Sequence, residues 1–600
     1  MSETIDRQRV VELAKRRGFF LQTASAYGGV AGFYTFGPQG AGLKRNIEES
    51  WRERFTVAEG NREIEAPTIM PEPVFEASGH LDTFDDMLVE CAECGESHRA
   101  DHVVEDADET DVEEAEALPI PEIEETIAAY EIRCPTCGAD LSGQAVTTFN
   151  LMFATNIGPG DSQPGYLRPE TAQGIFVEFP QLKEYARNQL PFGITQVGKA
   201  YRNEISPRRS IVRVREFTQA ELELFVDPEE DEPDLAAVED VEAPLYSAAA
   251  QREGDGPERT TIGEAVAEGV IEDEWIAYYL GVAARWFRSI GVDMDRFRFR
   301  QHLPDELSHY AADCWDAESQ LAGDWIELTG FAYRGAYDLS KHDEHSDERF
   351  TVFKQYDEPQ TVERPRVDPD MSYLGPEFGG AAGDVADALQ DLAERDPDAF
   401  DAETVTVTVD GDDHEVPTDR ANFAIEEVKE SGEHVTPHVV EPSFGIDRVL
   451  YTVLHHAYRE DEVDGERRTY LDLDPEVAPT TVGVFPLESG GEMAAVAREI
   501  AADLRDAGLS VAYDDSGSIG RRYRRQDEVG TPFCVTVDHD TVGDTPTSSG
   551  PEDHDTVGDD DADTVTVRDR DTTDQARVPI ADLTETLAAL RAGDRTVADL

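Results

Sequence analysis

Residues 197–225 read VGKAYRNEISPRRSIVRVREFTQAELELF. Between Val197 and Phe217 the stretch holds six cations, Lys199, Arg202, Arg208, Arg209, Arg213 and Arg215, against two acids, Glu204 and Glu216. The chain as a whole has 52 Lys+Arg against 129 Asp+Glu in 600 residues, a formal net charge of −77. A local reversal of sign against that background asks for an anion. GITQVGKAYRNEI and VRVREFTQAELELF read as two strands joined by the Pro-containing loop SPRRS. Alternation would put Arg202 and Glu204 on one face, and Arg213, Arg215 and Phe217 on one face of the partner strand. Such a hairpin offers guanidinium forks to phosphate, a carboxylate to a ring amine or metal, and an aromatic face to a base. An exposed hairpin laced with Arg–Glu pairs would have the same composition, since charge runs are commonly solvated faces.

A second segment, TPHVVEPSFGIDRVLYTVLHHAY at 436–458, reads as a strand ending in Glu441-Pro442-Ser443, a turn at Gly445 and a helix from Ile446. Arg448 then falls in the first helical turn, where the dipole gives a cation nothing, which points to a bound anion. Taken alone, the segment reads equally as an ordinary βα junction, and that is the simpler reading. There is no GxxxxGK[ST] loop and no GxGxxG after a strand, so a nucleotide would have to be held in another way.

Length points to two to four domains. With 39% hydrophobic residues the chain has material for large cores. No apolar run approaches the ~20 residues that span a bilayer, and the N-terminus reads as an amphipathic helix from Ser2 rather than a secretion signal. A cytoplasmic protein is expected. Acidity spread along the whole chain is the pattern of adaptation to a salty cytoplasm, because molar salt shortens the Debye length to about 3 Å and screens the repulsion. Only seven of the cations are Lys, and Arg is the better bidentate grip on phosphate.

Residues 37–67 predict a turn, a helix and a strand, with Leu43, Ile47, Trp51 and Phe55 forming one apolar stripe. Residues 105–125 hold eleven acids and no Lys or Arg, and are expected to be an exposed insertion. Acidic, Pro-punctuated stretches at 227–275 and 355–420 are read the same way. From 478 to 600 the pattern TVGVFPL, EMAAVAREIAADLRDAG, LSVAYDD and PFCVTVD predicts a small α/β domain, with HDTVGD repeated inside a low-complexity loop at 539–563.

Cys91-Ala-Glu-Cys94 and Cys134-Pro-Thr-Cys137 form two CxxC knuckles within residues 86–145. Their spacing favours one structural Zn²⁺ over four free or disulfide-linked thiols. Cys314 and Cys534 are expected to be buried thiols in apolar surroundings. SGSIGRRYRRQDEVG sets Arg521, Arg522, Arg524 and Arg525 beside Tyr523, a combination suited to RNA backbone and base stacking, or to a salt-bridged surface turn.

Taken together, GLKRNIEESWRERF with EIEAP, then YRNEISPRRSIVRVREFTQAE, then EPSFGIDRVL resemble motifs 1, 2 and 3 of class II aminoacyl-tRNA synthetases. ASGHLDTF, YLRPETAQGIF, HYAADCWDAE and IGRRYRRQDEVGTPF look specifically like glycyl-tRNA synthetase of the archaeal–eukaryotic dimeric type. The resemblance runs from about residue 6 to 600. It implies an α+β fold: a catalytic domain over 1–475 built on an antiparallel sheet of six or seven strands with insertions, then an anticodon-binding α/β domain over 478–600. It implies a homodimer through the motif 1 stripe, with ATP, Mg²⁺, glycine and tRNA(Gly) as partners.

Carried onto this chain, the resemblance makes Arg202, Glu204 and Arg448 the catalytic residues. Arg202, Asn203, Glu204, Val212, Arg213, Val214, Arg215, Glu216, Phe217, Glu327, Leu328, Phe444, Gly445, Ile446, Asp447 and Arg448 would bind ATP, with Phe217 stacked on adenine. Arg99, Glu170, Phe217, Thr218, Gln219, Ala220, Glu221, Glu441, Pro442, Ser443, Phe444 and Gly445 would form the glycine site. Arg521, Arg522, Arg524 and Arg525 would contact tRNA. GFAYRGAYDL keeps Arg334 but places Tyr333 and Gly335 where the family has an acid and a hydroxyl, so these positions are left out of the expected site. The chemistry suits the residue types: a glycine carboxylate attacks phosphorus without a Ser, Cys or His base, so positioning and charge neutralisation carry the step. Two rivals remain at this point. One is a non-catalytic nucleic-acid-binding relative of polymerase-accessory type; the other is a class II synthetase for another amino acid.

Overall fold

The computed structural model describes residues 7–600 except 108–109, 111, 113–114, 116–117, 161–162, 208–209, 305, 307–312, 410, 464 and 544–562, and the side chain of 357. Arg208, Arg209, the helix start at Ser2 and most of the 539–563 loop lie outside the described residues. The chain divides into two compact units. One comprises Met1–Leu182, Leu190–Phe350 and Pro437–Leu600, and the other Lys183–Gln189 with Thr351–Thr436.

After an N-terminal helix (Arg7–Arg17) and a small strand pair (Phe20–Gln22 with Tyr34–Phe36), the elements that build the site begin with helix α1 (Pro38–Trp51) and a two-residue strand β1 (Arg62–Glu63). Next come β2 (Asp85–Glu90), β3 (Ser97–Arg99), α2 (Ala100–Glu105), α3 (Ile120–Ala129) and β4 (Val146–Asn150). The sheet proper uses β5 (Phe192–Tyr201), β6 (Glu216–Val226), β7 (Glu242–Tyr246), β8 (Glu258–Thr261), β9 (Phe297–Gln301), β10 (Cys314–Leu321), β11 (Asp324–Gly335) and β12 (His438–Gly445), which runs into α4 (Ile446–Ala457).

These strands form one nine-stranded sheet in the order β8-β7-β9-β10-β11-β12-β6-β5-β1. Its middle six strands, β9 to β5, are antiparallel throughout. The expected six or seven strands become nine because β1 joins β5, and β7 joins β9, in parallel at the two margins, and β8 pairs antiparallel with β7 beyond it. Much of the 227–275 segment is therefore not an insertion: its apolar residues Ala243 and Leu245 are buried, and it supplies two strands of the sheet.

Leu43, Ile47, Trp51 and Phe55 are fully buried, as their spacing predicts, but inside this chain. Trp51 and Phe55 lie 5.9 and 4.7 Å from the Phe444 ring, and Trp286 5.3 Å from it. Each such aromatic contributes about 1.5–3 kcal/mol by leaving water. The stripe expected to form a dimer face is used up in the intramolecular core.

The 86–145 segment also departs from expectation. Val89, Val103, Val104, Ala115, Ile123, Ile127 and Leu141 pack with Cys91 and Cys134 into a separate small core. Acids dominate its composition, yet the few apolar residues at helical spacing in α2 and α3 all turn inward. The 355–420 segment is likewise folded. In the second unit a long hairpin, Val352–Arg366 with Ala424–Val435, is joined by helix Ala382–Arg395, whose Val385, Leu389 and Ala393 are buried.

Past residue 478 the alternation holds. β13 (Val482–Pro486), α5 (Gly491–Asp506), β14 (Val511–Tyr513), α6 (Ile519–Asp527), β15 (Phe533–Val537), β16 (Thr564–Asp569) and β17 (Gln575–Pro579) form a five-stranded sheet in the order β14-β13-β15-β16-β17. Among the described residues, its core is built from residues between 482 and 597.

Candidate active site

Strands β6, β12 and β11 lie side by side, with Glu221 opposite Ser443 and Ser443 opposite Gly330. The two-residue period sends Glu221, Ser443 and Glu441 to one face and Ala220, Phe444 and Pro442 to the other. A cleft of about 950 Å³ opens over the first face. Ala220, Pro442 and Phe444 face the core instead, and Ile446 is buried there too, so none of the four lines the cleft.

At the helix end of the cleft stand Arg202, Arg213 and Arg448, with Glu204, Glu327, Phe217, Val212 and Val214. Arg448 occupies the first turn of α4, as expected. Its Nε donates to the Val212 carbonyl at 3.1 Å and its Nη1 to the Glu327 carbonyl at 2.9 Å. Gly445 is glycine for a steric reason: a Cβ there would come within 3.3 Å of the Leu328 carbonyl oxygen. The Arg202 guanidinium lies 5.5 Å from the Phe217 ring centre, and Arg213 Nε donates to Glu204 at 2.6 Å. Arg448 and Arg202, outweighing burial between them, hold the Glu327 carboxyl below its ordinary range.

The hairpin differs from the expected one. β5 stops at Tyr201 and β6 starts at Glu216, so residues 202–207 and 210–215 lie outside the strands rather than forming two strand ends. Other segments take over the backbone bonds: Asn203 N–H donates to Leu151 O at 2.7 Å and Arg215 N–H to Gly32 O at 2.8 Å. Asn203, Arg215 and Glu216 do not line the cleft. Arg215 spends its guanidinium on the Glu204 and Ala31 carbonyls, and Glu216 pairs with Lys199 at 3.3 Å.

Further along the strands the lining becomes acidic: Glu170, Glu221 and Glu441, with Ser443, Thr218 and Gln219. Glu221 accepts from the Thr171 hydroxyl, from Ala172 N–H at 2.6 Å and from Ser443 Oγ at 2.6 Å. Glu441 accepts from Arg334 Nη1 at 2.7 Å, while Asp338 holds the other side of that guanidinium. Burial, then Glu170, raises Glu221. Burial, with Glu221 and Glu170 opposing Arg334, raises Glu441 to about 7. Glu170 is held low despite its burial, by His80 and Arg334. Gln219 Oε1 is buried and, among the described residues, has no hydrogen-bond partner. Three carboxylates with an unused acceptor form a receptor for a small cation carrying N–H donors.

Arg334 and Gly330 line the cleft and were not among the expected site residues. The unusual neighbours Tyr333 and Gly335 hide Arg334 from a reading by motif. Those neighbours sit outside the site, Tyr333 hydroxyl against His438 Nδ1 at 2.7 Å and Gly335 at φ +60°. Conversely, Arg99 does not line the cleft: Asp101 accepts from its Nε at 3.0 Å and Asp86 lies 3.2 Å from its Nη1. Asp447 does line it, and is held by Lys44 at 2.8 Å.

The four knuckle thiols converge. Cys91 and Cys137 Sγ atoms are 3.6 Å apart and those of Cys94 and Cys134 3.8 Å, all four within 4.8 Å. Tetrahedral Zn–S bonds of about 2.3 Å require S···S distances of about 3.8 Å. His98 Nε2 lies 3.2 Å from Cys134 Sγ, as an outer N–H donor would. Cys534 is buried as expected, but Cys314 is not in apolar surroundings: it groups with His302 and Asp316.

The arginines of α6 fare differently from those of the cleft. Arg522 is fully buried and donates to the carbonyls of Pro486, Asp515 and Gly517, the last two at 2.9 Å. Arg525 is taken by Asp514 at 2.7 Å, and Arg524 lies 3.6 Å from Glu466. Tyr523 is turned inward, its hydroxyl 2.6 Å from Thr536 Oγ1, and is unavailable to a base. Arg521 alone of the four is exposed.

Residues 161–457 match the family described as tRNA synthetase class II core domain (G, H, P, S and T), and residues 481–590 the anticodon binding domain. The chain is 48% identical over 575 residues to the glycine–tRNA ligase of Methanothrix thermoacetophila, covering 95% of this chain and 94% of that protein. It is 46% identical to the same enzyme of Methanothermobacter thermautotrophicus, over 98% and 99% of the two chains. With that of Methanocaldococcus jannaschii it shares 43% over 97% and 98%.

Proposed function

The chain belongs to the glycine–tRNA ligase family, an enzyme that charges tRNA with glycine using ATP, and from that premise we propose how its cleft divides the work. The triphosphate lies among Arg202, Arg213 and Arg448, with adenine against Phe217 and the ribose near Val212, Val214 and Leu328. Arg202 neutralises the α-phosphate as the glycine carboxylate oxygen bonds to phosphorus and the bond to pyrophosphate breaks. Mg²⁺ travels with the triphosphate and would be shared by Glu327, where it supplies further neutralisation of the phosphate oxygens. The glycine ammonium sits among Glu170, Glu221 and Glu441, with Thr218 and Gln219 alongside. The carrying observation is that one cleft gathers Arg202, Arg213 and Arg448 at one end and, at the other, Glu170 with Glu221 and Glu441, the last two buried on one sheet face. The non-catalytic alternative leaves that acidic end without a purpose. Pyrophosphate exchange with each of the twenty amino acids tests the assignment. Glycine alone should support it, and equal exchange with alanine would overturn the reading of the acidic end.

The same reading extends to the remaining parts. The four thiols of Cys91, Cys94, Cys134 and Cys137 hold one Zn²⁺, which ties the two knuckles together. Metal analysis should find close to one zinc per chain, lost in Cys134→Ser; zinc-free protein with four titratable thiols would refute it. Arg521, with the partly exposed Arg524 and Arg525, faces tRNA(Gly). The enzyme works in a salty cytoplasm as a homodimer, formed by a surface other than the buried stripe. Exposed Tyr27, Val30 and Val57 are apolar side chains available for it. No helix among the described residues is long and apolar enough to cross a membrane.

A further inference from the structure

The loop that carries Arg202 and Arg213 has little regular structure of its own, yet five contacts tie it to the segment containing the knuckles. Asn203 N–H donates to Leu151 O, immediately after β4, at 2.7 Å. Ser206 Oγ donates to the Ser97 carbonyl in β3 at 3.2 Å. The Arg202 guanidinium lies 5.4 Å from the ring centre of Phe84, which precedes β2. Arg213 Nη2 is 3.7 Å from Asp86 Oδ2, and its Nη1 is 3.5 Å from His102 Nε2.

The far ends of the same strands meet at the thiols. β2 runs directly into Cys91, and the first knuckle is the turn between β2 and β3: Cys91 N–H donates to Glu96 O at 2.9 Å and Gly95 N–H to Cys91 O at 2.8 Å. That closure sets the register Leu88↔Arg99, Val89↔His98, Glu90↔Ser97. The register in turn places Arg99 beside Asp86, 3.2 Å from it, and His98 against Cys134. β2 is also paired with β4, Asp86 opposite Phe149 and Val89 opposite Val146, so the knuckle at its tip and the β4 ladder together set the position of its base.

We propose that Asp86 is a positioning residue for the ATP-binding loop, oriented by Arg99, and that the four-thiol knuckle acts through the β2–β3 hairpin to hold it against Arg213. Asp86 touches neither substrate. It fixes one face of Arg213 while Glu204 fixes another, so the guanidinium is aimed before ATP arrives. The knuckle is thereby a determinant of ATP affinity and not only of local stability. This rests on the assignment of the cleft to ATP and of the thiols to a metal.

The test is Asp86→Asn in the full chain, read by pyrophosphate exchange and by calorimetric titration with ATP in the absence of glycine. Losing a charge-assisted contact of this kind should raise the ATP KM and Kd about tenfold, with KM for glycine and kcat close to wild type. Cys134→Ser should raise the ATP KM in the same direction, and the double variant should be no worse than the weaker single one. A purely structural role would lower the melting temperature and the active fraction while leaving ATP affinity unmoved, and that result overturns the proposal. So would additive effects of the two substitutions. Should Asp86→Asn fail to fold, chelator-treated wild-type protein carries the same measurement, together with hydrogen exchange over residues 202–215, which should accelerate. Wild-type protein lacking glycine-dependent exchange would instead refute the activity, and wild-type protein lacking metal would refute the zinc assignment.

Discussion

Two arginine clusters in this chain look alike on paper and have opposite fates. Arg202, Arg213 and Arg448 hold their guanidinium groups around a cleft, each anchored on one side by a carbonyl or carboxylate and open to the cavity on another. Arg521, Arg522, Arg524 and Arg525 share one nine-residue helix, and three of them are drawn to acceptors of the chain itself. The difference is not in charge density. It lies in whether the backbone turns its carbonyls toward the guanidinium, as those of Pro486, Asp515 and Gly517 do around both Nη atoms of Arg522, or leaves a face open to a cavity. A cluster of cations in an acidic protein is therefore evidence for an anion site only when the surrounding elements make a concave wall.

The comparison can be sharpened first at Arg522. Replacing it with Ala strands several buried carbonyl acceptors, each unmet acceptor costing about 1–3 kcal/mol. Arg522→Ala should lower the melting temperature measurably while glycine-dependent pyrophosphate exchange survives below the transition. A normal melting temperature with selectively weakened tRNA charging would mean that Arg522 is an RNA contact after all. Arg521→Ala is the counterpart, with unchanged stability and a charging defect that is largest at low salt and narrows as salt rises, because one phosphate contact fewer flattens the salt dependence.

The next effect lies in pH. Glu441 is raised to about 7, by burial first and then by Glu221 and Glu170. The glycine ammonium needs the ionised form, so KM for glycine should fall as pH rises through that value. Below it, KM should climb by up to about tenfold per pH unit. Binding near neutral pH should release protons, visible as a dependence of the measured heat on the buffer. A KM for glycine that is flat across this range would remove Glu441 from the ammonium site.

Salt gives the smallest and broadest effect. With 129 acids against 52 cations, raising KCl from about 0.1 to 1 M shortens the Debye length from about 10 to 3 Å. The melting temperature should rise by several degrees, about the equivalent of 1–2 kcal/mol. A flat or falling melting temperature would end the reading of the composition as adaptation to salt.

Much of this architecture was legible in the sequence, for identifiable reasons. The four-residue spacing of Leu43, Ile47, Trp51 and Phe55 fixed a helix and its buried face, and EPSFGIDR placed Arg448 at a helix start. Spacing cannot say which partner covers a stripe, so the same residues suggested a dimer face that the structure fills with Phe444 and Trp286. Acid-rich composition hid three folded segments, because a few inward apolar residues suffice for a small core. In the site, strand alternation separates Glu221, Glu441 and Ser443 from Ala220, Pro442 and Phe444, a sorting that motif matching alone does not make. Arg99 and Arg334 exchanged places because a salt bridge across 107 positions, Arg334 to Glu441, leaves no local trace.

The most direct test of the account is Arg202→Ala, assayed for glycine-dependent pyrophosphate exchange alongside its melting temperature. Loss of one donor that meets charge developing in the transition state typically costs about 10²–10³ in rate. The account predicts a fall of that size with the melting temperature little changed, since among the described residues Arg202 has one long 3.3 Å bond to the Pro169 carbonyl and loose contacts with the Phe84 and Phe217 rings to lose. Exchange near the wild-type rate in folded protein would contradict it, and would make the cations of residues 197–225 a solvated loop.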